Sequence, residues 1–260
     1  MPPMAGAPPP APPLREDLRL AAWLALACAL ATAAVFPYVL ELMPEVRAKL
    51  TLPLAVVVPL QALQGGLVLG ALGFIGLRMG PRTGLDAPWL RALVAGRPRP
   101  TVSWVRFLGI GALAGMAVVA LALVTDPFLP PPRHTLPTPG AWAGLLASFY
   151  GAIGEEVLVR LFAMTLLAWV GARLLRRPPG TALMWLAIVA AALLFGAGHL
   201  PTAAGVWPLT AAVVLRTLVL NAVVGVAFGW LYWRRGLEAA ICAHFGADLV
   251  LHVAMPLLAG

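Results

Sequence analysis

Apolar residues run along this chain in seven long blocks: Leu18–Leu40, Leu52–Leu77, Val102–Val124, Ala141–Val170, Thr181–Leu200, Leu209–Trp233 and Leu237–Leu258. Short connectors rich in Pro, Gly and Arg separate them. A helix needs about 20 mostly apolar residues to cross the hydrocarbon of a bilayer, and every block is long enough. Barrel strands would instead alternate polarity over about ten residues. The pattern predicts an all-α fold: a polytopic transmembrane helical bundle of about seven spans. Within the blocks, Gly66/Gly70, Gly111/Gly115 and Gly225/Gly229 have the GxxxG spacing that lets helix backbones approach closely.

Composition agrees with this pattern and removes the alternatives. The chain is 61% hydrophobic and 11% charged, with a mean hydropathy of +0.91, whereas a soluble domain carries about 25% charged residues. A soluble globular protein is excluded. Residues 1–17 open on a Pro-rich run that reads as a disordered tail, residues 18–140 as N-terminal transmembrane helices, and residues 141–260 as a second transmembrane region that holds the chemistry. The first block is too long for a signal h-region and continues past Ala25-Leu26-Ala27-Cys28, so it is expected to stay as a span. Cys28 and Cys242 both lie inside apolar blocks and form neither a disulfide framework nor a zinc-type pair.

Eighteen basic against ten acidic residues give a net charge of +8, but nearly all the cations flank apolar blocks. Their expected partners are anionic lipid headgroups rather than nucleic acid. One set of alternate connectors holds Arg15, Arg19, Arg78, Arg82, Arg91, Arg97, Arg99, Arg106, Arg173, Arg176, Arg177, Arg234 and Arg235; the other holds Arg47, Lys49 and Arg133. Thirteen against three predicts a cytoplasmic N-terminus and, with seven spans, a C-terminus outside, in an integral protein of the cell's inner (plasma) membrane.

An ionised side chain at the centre of a span costs roughly 2.5 to 3.5 kcal/mol, so intramembrane charges point to function. The fourth block holds Glu155, Glu156 and Arg160. On an α-helix Glu156 and Arg160 share a face at i, i+4, which suits an ion pair, while Glu155 is turned about 100° away and is free to serve as a base in a polar cavity. The fifth block ends Phe195-Gly-Ala-Gly-His199-Leu-Pro201, and the seventh carries His244-Phe-Gly-Ala-Asp248 followed by His252. The stripe His244 and Asp248 can ligate a metal or polarise a carbonyl. His252 is expected near the interface, and His134 sits in a connector without a motif. Two Glu, two His and one Asp on three blocks make a set suited to acting on water. HExxH, GxSxG and phosphate-loop motifs are missing from the sequence, which argues against the common zincins, serine hydrolases and nucleotide enzymes.

Glu155-Glu156-x-x-x-Arg160, then Phe195-x-x-x-His199, then His244-x-x-x-Asp248, in that order on successive blocks, resembles the CPBP intramembrane protease family. This group comprises CAAX prenyl proteases of the Rce1 type and bacteriocin-processing or self-immunity (Abi) proteins. The resemblance covers residues 141–258 and implies a membrane-embedded, glutamate-dependent, metalloprotease-type endopeptidase acting on a membrane-associated peptide or protein substrate. It implies that Glu155 and His199 activate the attacking water and that His244 with Asp248 stabilises the oxyanion or helps hold a metal. Glu156 and Arg160 would support the site. A divalent ion such as zinc would be held by His199, His244 and Asp248. Two positions depart from the family pattern: many members read EExxFRG where this chain has Val159-Arg160-Leu161, and Asp248 stands where the prenyl-protease branch usually has Asn.

Two other functions fit the same residues. Intramembrane carboxylates and histidines also serve proton-coupled transporters, although the sequence has no inverted repeat or paired broken helices. A non-catalytic immunity partner or scaffold would keep the polar core for packing. Depth sets one further expectation. Glu155 lies 18 residues from Arg173 and His244 only 8 from Gly236, roughly 27 Å and 12 Å along straight helices. For the groups to meet, the fourth and fifth helices must protrude, tilt or break.

Overall fold

The computed structural model describes residues 12–133 and 137–259. Seven of its helices are long and apolar enough to cross a membrane: α1 (Leu14–Leu42), α2 (Leu54–Thr83), α3 (Trp104–Phe128), α4 (Ala141–Leu175), α5 (Thr181–Val206), α6 (Ala211–Arg235) and α7 (Leu237–Leu258). Each expected block is one of these helices, and no strand occurs among the described residues. The fold is an all-α transmembrane bundle. Some helix ends extend beyond the apolar blocks. Of the tail expected over 1–17, residues 1–11 lie outside the described residues, and Leu14–Asp17 already belong to α1. Glu16 and Asp17 can join that first turn because carboxylates complement the positive end of the helix dipole. His134 also lies outside the described residues.

The helices associate as close pairs around α4. α1 packs along α2, α5 along α6 and α3 along α7, while α4 touches α1, α2, α5 and α7. The predicted glycine pairs lie at these contacts. Gly66 and Gly70 face Ala25 of α1, Gly225 and Gly229 face Ala192 and Ile188 of α5, and Gly111 and Gly115 face Ala243 and Ala247 of α7. Without a Cβ at Gly111, α7 rests directly on the backbone of α3. Large apolar side chains such as Trp23, Val105 and Leu123 cover the outside, where acyl chains solvate them.

Salt bridges fasten the arginine-rich end of the bundle. Asp17 is wholly buried and bonds Arg78 of α2 and Arg91 of the short helix Pro88–Val94, both at 2.7 Å. Arg91 also grips Asp86 with two nitrogens, and Glu16 reaches Arg97 at 2.6 Å. Burial opposes the Arg91 charge, but the Asp86 and Asp17 carboxylates outweigh it and hold its pKa above the ordinary value. The same short helix anchors the start of α7, since Leu90 N–H donates to Glu238 at 2.7 Å and Leu237 N–H donates to the Asp86 carbonyl. Gly236, at φ +95°, turns α6 directly into α7. At the other end, Arg216 of α6 pairs with Asp126 at 2.6 Å. The outcome is a fixed height for α7, and that height sets the position of His244.

Candidate active site

The middle of α4 is π-helical, over Tyr150–Glu155 and again over Val157–Met164. A π turn bonds i to i+5, winds wider than an α turn and recurs at functional sites. The two glutamates fall in the middle of this stretch and meet opposite surroundings. Glu155 keeps 25% of its side chain exposed, toward a cavity, while Glu156 is completely enclosed. Arg160 is buried with Glu156: its Nε lies 3.3 Å from Glu156 Oε2, near enough for an ion pair though not aligned as a hydrogen bond. The guanidinium also donates to the Gly225 carbonyl at 3.3 Å and lies over the rings of Phe195 and Phe228, at 5.2 and 5.7 Å. These two rings supply part of the electrostatic compensation that a buried cation requires.

α7 completes the cluster. His244 bonds Glu156 Oε1 through Nδ1 at 2.8 Å. With a carboxylate as the partner, Nδ1 carries the proton and donates. The other ring nitrogen, Nε2, sits between two further carboxylates, 3.7 Å from Glu155 Oε2 and 3.6 Å from Asp248 Oδ1. Phe228 stacks on the imidazole with centroids 4.9 Å apart. Gly151 provides the room: a Cβ there would stand 3.2 Å from His244 Nε2 and would collide with Asp248 Oδ2.

The third wall belongs to α5, which breaks at His199. The helix proper ends at Gly198 and a new turn starts at Leu200, with Pro201 in its first positions. One of the expected ways for the groups to meet is therefore realised at the histidine itself. His199 donates from Nδ1 to the Phe195 carbonyl at 2.9 Å, which leaves Nε2 unbonded. No hydrogen bond or ion pair joins His199 to Glu155. The two residues line one cavity of about 450 Å³ together with His244 and Asp248.

All six residues singled out in the sequence are thus near this cavity, four on its wall and the Glu156–Arg160 pair immediately behind it. The cavity is formed at its rim by Val35, Tyr38, Val39 and Leu42 of α1, Thr202 of α5 and His252 of α7, so it lies toward the arginine-poor end of the bundle. Three site residues escaped the sequence reading. His252, which follows Asp248 at i, i+4, lines the cavity with its side chain 35% exposed, and Tyr38 meets its Nδ1 at 3.1 Å. Asn221, an isolated amide in apolar α6, uses one N–H on the Thr217 carbonyl and lines the cavity. Tyr38 and Gly151 had no signal in the sequence. Among the described residues, no three His, Cys, Asp or Glu side chains converge closely enough to hold a metal ion as they stand.

A family model described as "Type II CAAX prenyl endopeptidase Rce1-like" matches residues 137–250. This segment belongs to the CAAX protease family. Comparison with curated proteins gives no match, and comparison with solved structures gives none. The Rce1-like segment runs from just ahead of α4 to just past Asp248 and so contains all six of these residues. Tyr38, which meets His252 across the cavity, comes from outside it, on α1. The seven apolar helices make the chain an integral membrane protein, and the CAAX-protease likeness belongs to its 137–250 segment.

Proposed function

We propose that the chain is an intramembrane endopeptidase that hydrolyses a peptide bond of a membrane-associated substrate by direct attack of water, with Glu155 as the base. One observation carries this reading: Glu155 is the partly exposed carboxylate of the pair, faces the cavity and stands beside His244 Nε2. As water attacks the carbonyl carbon, Glu155 takes its proton. The same proton passes to the amide nitrogen as the C–N bond breaks, leaving a carboxylic acid and an amine, and the acid then gives its proton to the amine or to water. His199 supports this step from the α5 wall, because its unbonded Nε2 accepts a hydrogen bond and orients the water.

Glu156 is a positioning residue. It fixes the His244 tautomer and ring plane in the way a carboxylate behind a catalytic imidazole does, and Arg160 holds Glu156 in place. The developing oxyanion needs donors. His244 Nε2 when the ring is charged, Asp248 when it carries a proton, and the free N–H of Asn221 are the candidates on the wall. Each step is assigned to side chains on the cavity wall. The positive-inside count puts the arginine-rich end and the N-terminus in the cytoplasm, with the cavity toward the opposite face.

The test is cleavage of a peptide library by purified protein in detergent, with and without a strong chelator, beside Glu155→Ala. The reading expects products from the wild type in both conditions and none from the variant. Cleavage that survives Glu155→Ala overturns the base assignment, and cleavage abolished by chelator and restored by zinc overturns the assignment to side chains alone.

A further inference from the structure

At the arginine-rich end, remote from the catalytic cavity, α2 and α4 frame a two-part hollow. Its deeper part, about 470 Å³, is a groove between the helices lined by Phe74, Ile75 and Met79, with Arg78, paired to Asp17, at its side. Its mouth, about 780 Å³, is lined by Arg82, Arg173, Arg176 and Arg177. The parts are continuous, since Pro81, Arg82 and Trp169 line both. No carboxylate lines either one, and none of the four arginines forms an ion pair among the described residues.

Two local features show that this mouth is built rather than incidental. Trp169, under the Arg173 guanidinium at 4.8 Å, buries its indole N–H without an acceptor. Arg176 ends α4 in the left-handed region at φ +52°, the sole non-glycine residue there among the described residues. Glycine is the usual occupant of that position, yet the chain keeps an arginine. Arg177 N–H closes the same turn onto the Ala172 carbonyl at 3.2 Å, which holds the backbone of both arginines at the rim.

We infer that this hollow binds one anionic phospholipid, its phosphate among Arg82, Arg173, Arg176 and Arg177 and an acyl chain in the groove between α2 and α4. A basic pocket between helix ends at one membrane face is the arrangement that holds acidic headgroups. The indole N–H of Trp169 gains an oxygen acceptor at the junction of head and chain. Free phosphate would satisfy the cations but leave the adjoining apolar groove, where Ile75 is 44% exposed, without an occupant.

The measurement is native mass spectrometry of the full chain released from nanodiscs of phosphatidylglycerol or phosphatidylcholine, with thermal melts in each lipid. The wild type retains one phosphatidylglycerol in preference to phosphatidylcholine. The double variant Arg176→Gly, Arg177→Gln weakens that retention about thirtyfold, from the usual contribution of two arginines at an anionic surface. Its melting point in phosphatidylcholine is not lowered by the first change, because glycine suits the turn. Ile75→Trp, which fills the groove and leaves the cations, also loses the lipid. Neither variant touches the catalytic cavity, so hydrolysis is unchanged. Equal retention of the two lipids by the wild type, retention unaffected in both variants, or protection by inorganic phosphate equal to that by the lipid would each overturn the inference.

Discussion

Glu155 and Glu156 are adjacent in sequence, yet one faces a cavity and the other is sealed between an arginine and a histidine. That division was legible, because i, i+4 spacing pairs Glu156 with Arg160 and turns Glu155 away. The bond from Glu156 to His244 was not. It joins residues 88 positions apart, and nothing in the α7 sequence fixes how that helix is rotated about its axis. The contact changes what Glu156→Gln should do. Arg160 loses its counter-charge in a buried setting, which costs roughly 3 to 5 kcal/mol. The glutamine oxygen still accepts from His244 but no longer balances its charge, so kcat falls while KM holds. Melting in detergent beside steady-state kinetics reads both effects, and an unaltered melting point would show that Arg160 does not depend on Glu156. Gly151→Ala makes a different prediction. The new methyl meets Asp248 and His244 Nε2, so hydrolysis is lost to a degree that any overpacking fall in melting point does not account for. Wild-type activity in that variant would mean that the cluster is not the reactive site.

Helix existence was legible from seven apolar blocks, and helix pairing partly so from the glycine spacings. The π turns of α4 were not, since i to i+5 bonding is stabilised by packing rather than by any residue preference visible in Tyr150–Met164. The break at His199 had a local signal in the flanking glycines and Pro201. At this scale the contact between α3 and α7 governs the site. A Cβ at Gly111 would overlap the Ala243 carbonyl, next to His244, whereas one at Gly115 would stand 2.9 Å from the Ala247 carbonyl. Gly111→Ala must push α7 away, at a cost of about 1 to 3 kcal/mol for an overpacked contact, and it should lower kcat more than Gly115→Ala. Melting midpoints and turnover of the two variants in one detergent check that order; equal effects would detach α7 placement from catalysis.

For the molecule as a whole, the ion pairs of Asp17, Arg78 and Arg91 close the arginine-rich end, and the cavity lies toward the other. The thirteen-to-three distribution of basic residues predicts that the closed end faces the cytoplasm. Reporter fusions after Arg99 and after Gly260 should therefore report opposite faces, and a shared face would remove the seven-span topology. The family match reaches from residue 137 to residue 250, while Tyr38 shows that α1 also contributes to the cavity. The account rests most heavily on Glu155 as the base of the hydrolytic step, and the ratio of kcat/KM between wild type and Glu155→Gln tests it most directly. Glutamine keeps the size of the side chain and cannot take a proton from water. The account predicts a fall of about 10²- to 10⁴-fold with an unchanged melting point; a variant that folds as before and cleaves within a few-fold of the wild type would contradict it.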